Sequence, residues 1–92
     1  METQLFEMEL HNIVNHCGED RWFKRKIAMP FIPQSGATLY GDGIEFIVFE
    51  MAYDLKTKKI DLYSEIIYVN SDDELQKEAS NQKENGWEEY HI

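Results

Sequence analysis

Two apolar runs dominate the pattern of the chain: residues 44–53 (IEFIVFEMAY) and residues 60–69 (IDLYSEIIYV), separated by the polar stretch 54–59. Both are rich in β-branched and aromatic side chains, and the polar break between them predicts an antiparallel hairpin. In the first run Ile47, Phe49, Met51 and Tyr53 share one face, with Ile44, Phe46, Val48, Glu50 and Ala52 on the other. The second run sets Ile60, Leu62, Ser64, Ile66 and Tyr68 against Asp61, Tyr63, Glu65, Ile67 and Val69. Residues 44–48, Glu45 apart, and 66–69 are therefore apolar on both faces. Antiparallel pairing would put these two halves at the same end of the sheet, which predicts a helix or a partner chain over that end.

Upstream, residues 4–14 fit two periods. Phe6, Met8 and Leu10 alternate with Glu7, Glu9 and His11, whereas Phe6, Leu10, Ile13, Val14 and Cys17 share a helical face that omits Met8 and has only Thr3 as a cap. The strand reading accounts for Met8 and supplies a hairpin partner across a loop at 15–20. That partner is residues 21–29, with Phe23, Arg25, Ile27 and Met29 on one face and Trp22, Lys24, Lys26 and Ala28 on a solvated one. Glu7 and Glu9 would face this basic run across the ladder. Pro30 and Pro33 end the strand. Turns at 34–36 and 41–43 flank a short strand at 37–40, and Phe31 and Tyr40 are left as loop aromatics.

After residue 69 the period changes to that of a helix with marked ends. Ser71 is the N-cap and Glu74 stands three residues on, with Asp72 and Asp73 in the same first turn, where the helix dipole favours them. Leu75, Ala79 and Gln82 form the inner face. Gly86 supplies the left-handed residue past the end, and Trp87 after it is the expected anchor against the last turn. Residues 88–92 read as an edge strand with Tyr90 and Ile92 inward. The expectation is a single α+β domain over 1–92, a small antiparallel sheet of about four or five strands with one C-terminal helix packed on it.

The 92-residue length and 42% hydrophobic content suit one core. The net charge of -9 is uneven: residues 1–20 carry -5, residues 21–59 carry seven basic against four acidic side chains, and residues 60–92 carry two against nine. Such acidity argues against direct nucleic-acid binding and favours solubility or an electropositive partner. No apolar stretch is long enough for a membrane helix, the N-terminal METQLFEMEL is unlike a secretory leader, and Cys17 has no second cysteine to bridge. A cytoplasmic location with no membrane partner is the expectation.

Candidate chemistry is thin. His11, His16 and Cys17 offer ligand types for zinc, but they make no second close pair, so no metal or cofactor is expected. Gly36, Gly41 and Gly43 match no phosphate-binding spacing. Trp22, Phe23, Lys24, Arg25 and Lys26 combine aromatic and basic residues, as single-strand binders do, between acidic flanks. Glu50 interrupts an apolar strand and is expected to be partly enclosed, while Asp61 and Glu65 are expected near basic groups of neighbouring strands.

No catalytic set emerges, and the leading expectation is a non-enzymatic interaction module. In it Asp72, Asp73, Glu74, Glu78, Glu84, Glu88 and Glu89 engage a basic surface of a partner protein, one variant being an inhibitor whose carboxylates replace nucleic-acid phosphates. One alternative is a ligand-binding or catalytic domain with a pocket between sheet and helix lined by Tyr53, Tyr63, Tyr68 and Trp87. The other is a structural subunit that self-associates, a homodimer included, through a free edge or the doubly apolar end of the hairpin.

Overall fold

The computed structural model describes residues 4–91. Its organising strand is β1 (Phe6–His16), which lies between three others: it pairs antiparallel with β2 (Glu19–Met29) and parallel with β6 (Ile60–Tyr63) and β7 (Ile67–Tyr68). Strand β5 (Glu50–Tyr53) closes one edge against β6, and β8 (Glu88–Tyr90) closes the other against β2. A separate two-stranded sheet holds β3 (Thr38–Gly41) and β4 (Ile44–Ile47). Helix α1 (Asp72–Glu84) packs on the larger sheet. The molecule is thus a mixed sheet with one C-terminal helix, the α+β class expected, with a parallel β1–β6 pairing inside it.

The β1–β2 hairpin runs in register from Phe6 opposite Met29 to His16 opposite Glu19. Its turn is shorter than the loop expected at 15–20. Cys17 and Gly18 alone connect the strands, at φ of 50° and 83°, and positive φ at both central residues marks the turn that matches strand twist. Met8, Leu10 and Val14 point to one side of β1, where Phe23, Ile60 and Leu62 of the neighbouring strands join them. Glu9, His11 and Ile13 point to the other side.

The long hairpin over 44–69 forms only in its middle. Glu50 pairs with Tyr63 and Tyr53 with Ile60, as expected of antiparallel neighbours. The doubly apolar halves do not meet. Residues 44–47 turn away to pair with 38–41 across the Asp42–Gly43 turn, and 67–68 pair with β1. The reason is packing: Phe46 and Val48, each 1% exposed, leave the plane of the sheet and cover its core face beside α1. Covering of that region, predicted for a helix or partner chain, thus comes partly from the first run itself.

Helix α1 has the ends its sequence specifies. Ser71 Oγ accepts from Glu74 N at 3.1 Å, and the Glu74 carboxylate reaches back to Asn70 N at 2.9 Å. At the other end Gly86 N donates to Lys83 O and Trp87 N to Gln82 O, the paired bonds of a Schellman motif, with Gly86 at φ 87°. Leu75, Ala79 and Gln82 are buried as the inner face, and Trp87 is 6% exposed. Strand β8 lies at the sheet edge as expected, with Tyr90 half-buried; Ile92 lies outside the described residues. No helix among the described residues is long and apolar enough to cross a membrane.

Candidate functional site

The core face of the sheet is covered by two bodies, α1 and the β3–β4 hairpin, and a cleft of about 750 Å³ opens between them. Arg25 ties the two bodies together. Its guanidinium donates to Asn85 O at 2.6 Å, at the negative end of the helix, and to Asp42 O at 3.1 Å in the hairpin turn. The aromatic wall is Phe46 and Trp87, whose rings stack at 6.0 Å and 24°, with Phe49 at the rim.

The floor is a polar relay. Ser64 donates to Asn12 Oδ1 at 2.7 Å, Asn12 Nδ2 to Gln82 Oε1 at 3.0 Å, and Gln82 Nε2 to Glu78 Oε1 at 3.1 Å. Asn12 and Gln82 are 7% and 9% exposed, so this relay satisfies amides that would otherwise be costly to bury. It also joins β1, the β6–β7 link and α1 beneath the cleft.

Three carboxylates from distant parts of the chain line the cleft: Glu45 on β4, Glu65 between β6 and β7, and Glu78 on α1. Its lining includes no lysine, arginine or histidine, and among the described residues none of the three carboxylates forms an ion pair. Negative charge, amide hydrogen-bonding groups and aromatic faces in one concavity are chemically suited to a guanidinium or ammonium group.

The uncovered face of the sheet carries the densest array of titratable groups. His11 Nε2 bonds Asp61 Oδ1 at 2.8 Å and His11 Nδ1 bonds Tyr90 Oη at 2.7 Å. A carboxylate only accepts, so in the neutral ring Nε2 carries the proton and Nδ1 accepts from the phenol. Tyr63 stacks on the imidazole at 4.8 Å. Lys59 links Glu9, at 2.9 Å, to Asp61, at 3.7 Å. Burial, with the negative charges of Glu9 and Asp61 and the neighbouring Tyr63, pushes Tyr90 up to about 12. Burial works to raise Glu9, but the bond from Lys59 and the charges of Lys59, Lys24 and His11 outweigh it and hold this carboxyl below its ordinary value. His11 is 5% exposed and both of its ring nitrogens are engaged, so the array acts as a clamp between β1, β6 and β8.

The acidic residues expected to form a partner site are gathered in part: Glu74, Glu78 and Glu84 line one groove along α1 together with Lys77. Asp72 and Asp73 are exposed on the first turn of the helix. His16 Nδ1 approaches Asp72 at 3.3 Å, and Glu74 is used in capping. Glu78 turns to the cleft and Glu88 is exposed on β8. Glu89 is held by Arg21 and Lys83.

The four aromatic residues of the expected pocket separate as well. Trp87 lies under α1, Tyr53 is exposed on β5, and Tyr63 and Tyr68 line a groove with Trp22 and Phe49 on the opposite side of the sheet. Glu50, expected to be enclosed, is exposed. Asp61 finds its basic neighbours; Glu65 stands in the cleft without one among the described residues.

His11 and His16 point to opposite faces of β1, and no group of three His, Cys, Asp or Glu among the described residues is arranged to hold a metal ion. Within the basic run Phe23 is buried and Arg25 is committed to the helix end, which leaves Trp22, Lys24 and Lys26 on the uncovered face. Glu9 lies opposite Lys26 in register, but its ion pair is with Lys59. Comparison with protein-family models, with curated proteins and with solved structures finds no match.

Proposed function

We propose that the protein is a non-enzymatic interaction module that binds a basic segment of another protein, an arginine or lysine side chain entering the cleft between α1 and the β3–β4 hairpin. The observation that carries this reading is the convergence of Glu45, Glu65 and Glu78 beside Phe46 and Trp87 without a neutralising cation in the lining. The net charge of -9 would steer such a partner inward and make its association sensitive to salt. A second reading, presentation of carboxylates to a nucleic-acid-binding protein, is favoured by the exposure of Asp72, Asp73, Glu84 and Glu88.

The test is a titration with arginine amide and with citrulline amide, its uncharged isostere, followed through the indole N–H resonance of Trp87. Arginine amide shifts the resonance and citrulline amide does not. Glu45→Gln, Glu65→Gln and Glu78→Gln each weaken the response by about threefold or more, the scale of a partly exposed ion pair. Equal responses to the two amides, or binding unchanged in all three variants, would remove the cleft from the interaction.

A further inference from the structure

The larger sheet opens where β6 ends. Residues 64–66 leave the ladder between Tyr63 and Ile67, and a groove of about 650 Å³ lies beside them on the uncovered face. Register places its walls on that face. Glu50 pairs with Tyr63 and Tyr63 with His11, while Trp22 pairs with Ile13 and Tyr68 with Asn15, the next alternate positions of β1. Trp22, Glu50, Tyr63 and Tyr68 thus project from one side of the sheet, and Phe49 and Glu65 complete the lining. Tyr68 is 73% exposed and Phe49 58%.

The groove presents three kinds of group. Its aromatic rings offer flat apolar faces. The indole N–H of Trp22 and the hydroxyls of Tyr63 and Tyr68 are donors, and among the described residues none of the three has a hydrogen-bond partner. Glu50 and Glu65 add negative charge, with no lysine, arginine or histidine in the lining. The basic groups nearby are engaged elsewhere: Lys24 lies 5.2 Å over the Tyr90 ring, and His11, on which Tyr63 stacks, is bonded to Asp61 and Tyr90.

These groups select the backbone of the occupant. The underlying strand β1 pairs with β2 on one side and with β6 and β7 on the other, so it offers no free edge to an added strand. The carbonyls of a helix are spent on the helix itself. Polyproline II has no internal hydrogen bonds, so its carbonyls are free to accept, and its prolines bring no N–H that would be left unpaired. The phosphates of a nucleic acid would meet Glu50 and Glu65. We propose that the groove binds a proline-rich segment of a partner protein as polyproline II. Its pyrrolidine rings lie on Trp22, Tyr63 and Tyr68, its carbonyls accept from their N–H and O–H groups, and an arginine or lysine sits beside Glu50 and Glu65. A second copy of this chain does not supply the segment, since its two prolines are Pro30 and Pro33 and Pro33 is fully buried. This inference rests on the reading of the protein as a binder of basic segments, and it names the kind of chain that carries the basic residue. Groove and cleft are continuous through Phe49, Ser64 and Glu65, which line both.

The experiment titrates the full chain with an acetylated oligoproline of about nine residues, three turns of polyproline II, ending in arginine. Its controls are the same peptide with alanine in place of every proline, and the oligoproline ending in citrulline. The indole N–H resonance of Trp22 reads the groove, and that of Trp87 reads the cleft. The arginine oligoproline moves the Trp22 resonance. The alanine peptide, which must be ordered on binding, binds about tenfold more weakly, and the citrulline peptide about threefold. Tyr68→Ala, at the most exposed of the rings, and Glu50→Gln, which lines the groove and not the cleft, each weaken the arginine oligoproline by about threefold or more.

A Trp22 resonance unmoved at about 1 mM peptide overturns the proposal, as does equal binding of the alanine peptide or affinity indifferent to Tyr68→Ala and Glu50→Gln. So does a dimer in sedimentation that Tyr68→Ala dissociates, since that would make the occupant a second copy. The arginine amide titration reads the cleft by itself. Its success beside an unmoved Trp22 removes the groove alone, and the reverse outcome keeps the groove and removes the cleft.

Discussion

Arg21 grips Glu89 with two parallel bonds, Nε to Oε2 at 2.6 Å and Nη2 to Oε1 at 2.7 Å, and so fastens the edge strand β8 to β2. The two side chains are 18% and 16% exposed, and Lys83 adds a contact at 3.1 Å. The Arg21 fork, against the cost of burial and helped by Lys83, lowers the Glu89 carboxyl from 4.5 to about 2. A carboxyl depressed on folding contributes stability that is complete above its unfolded value and is lost as the pH falls through the folded one. The fork is expected to contribute about 1–3 kcal/mol, lost between pH 4.5 and about 2. Glu89→Gln should remove that part of the acid dependence in denaturant titrations; an unchanged acid slope would show that the fork contributes nothing.

Trp87→Ala is expected to destabilise the protein by about 3–5 kcal/mol, because the ring is 6% exposed and stacks on Phe46 beneath the end of α1. Phe46→Ala should be nearly as costly. The double variant should lose less than the sum of the two, by about 0.5–1.5 kcal/mol, if the rings act as a pair. Full additivity in denaturant titration would contradict the stack.

Cys17 holds φ 50° at the first central position of the β1–β2 turn, where asparagine is better suited. Cys17→Asn is therefore expected to raise stability by about 0.3–1 kcal/mol, measured as a shift in the denaturation midpoint with unchanged slope. Loss of stability would mean that the 3.4 Å contact between the thiol and His16 Nε2 outweighs the turn preference.

Tyr90→Phe removes the hydroxyl that bonds His11 Nδ1 and leaves that nitrogen buried without its partner, at a cost of about 1–3 kcal/mol near neutral pH. The same phenol, raised from 10.0 to about 12 on folding, contributes stability that is complete below its unfolded value and is lost as the pH rises through the folded one. Wild-type stability should therefore decline between about pH 10 and 12, and less steeply in the variant, in which the raised Tyr63 still titrates. A tyrosinate absorbance titration of the folded protein provides the check; ordinary ionisation of every tyrosine would contradict the clamp.

Elements whose signals are local were legible in the sequence. Ser71, Glu74, Gly86 and Trp87 each act at a fixed spacing along the chain, so both ends of α1 could be read directly. Alternation likewise revealed the β1–β2 hairpin and its faces. Alternation reports which residues share a face, but it does not report which strand lies alongside or whether the face is covered. For that reason the parallel β1–β6 pairing was not legible, and Met51 and Tyr53, apolar and in phase with the core, gave no sign of being exposed. The departures of β4 and β7 from the long hairpin occur at residues 48–49 and 64–66, where no proline or glycine marks a break. The cleft brings together Glu45, Glu65 and Glu78 through three elements, and only the tertiary arrangement makes them neighbours.

The position of β1 sets an order on folding. Its antiparallel partner follows after two residues, while its parallel partner lies beyond the whole stretch from Pro30 to Lys59. Closing the first contact costs little chain entropy and closing the second much more. The β1–β2 ribbon should form early and serve as the template on which β6, β7 and the helix assemble. Variants at Phe23 should then slow refolding, whereas variants at Leu62 should chiefly speed unfolding, a division that stopped-flow kinetics would measure. The strand that anchors the finished sheet would thus spend the early part of folding with only one neighbour, until residues 60–63 return to it.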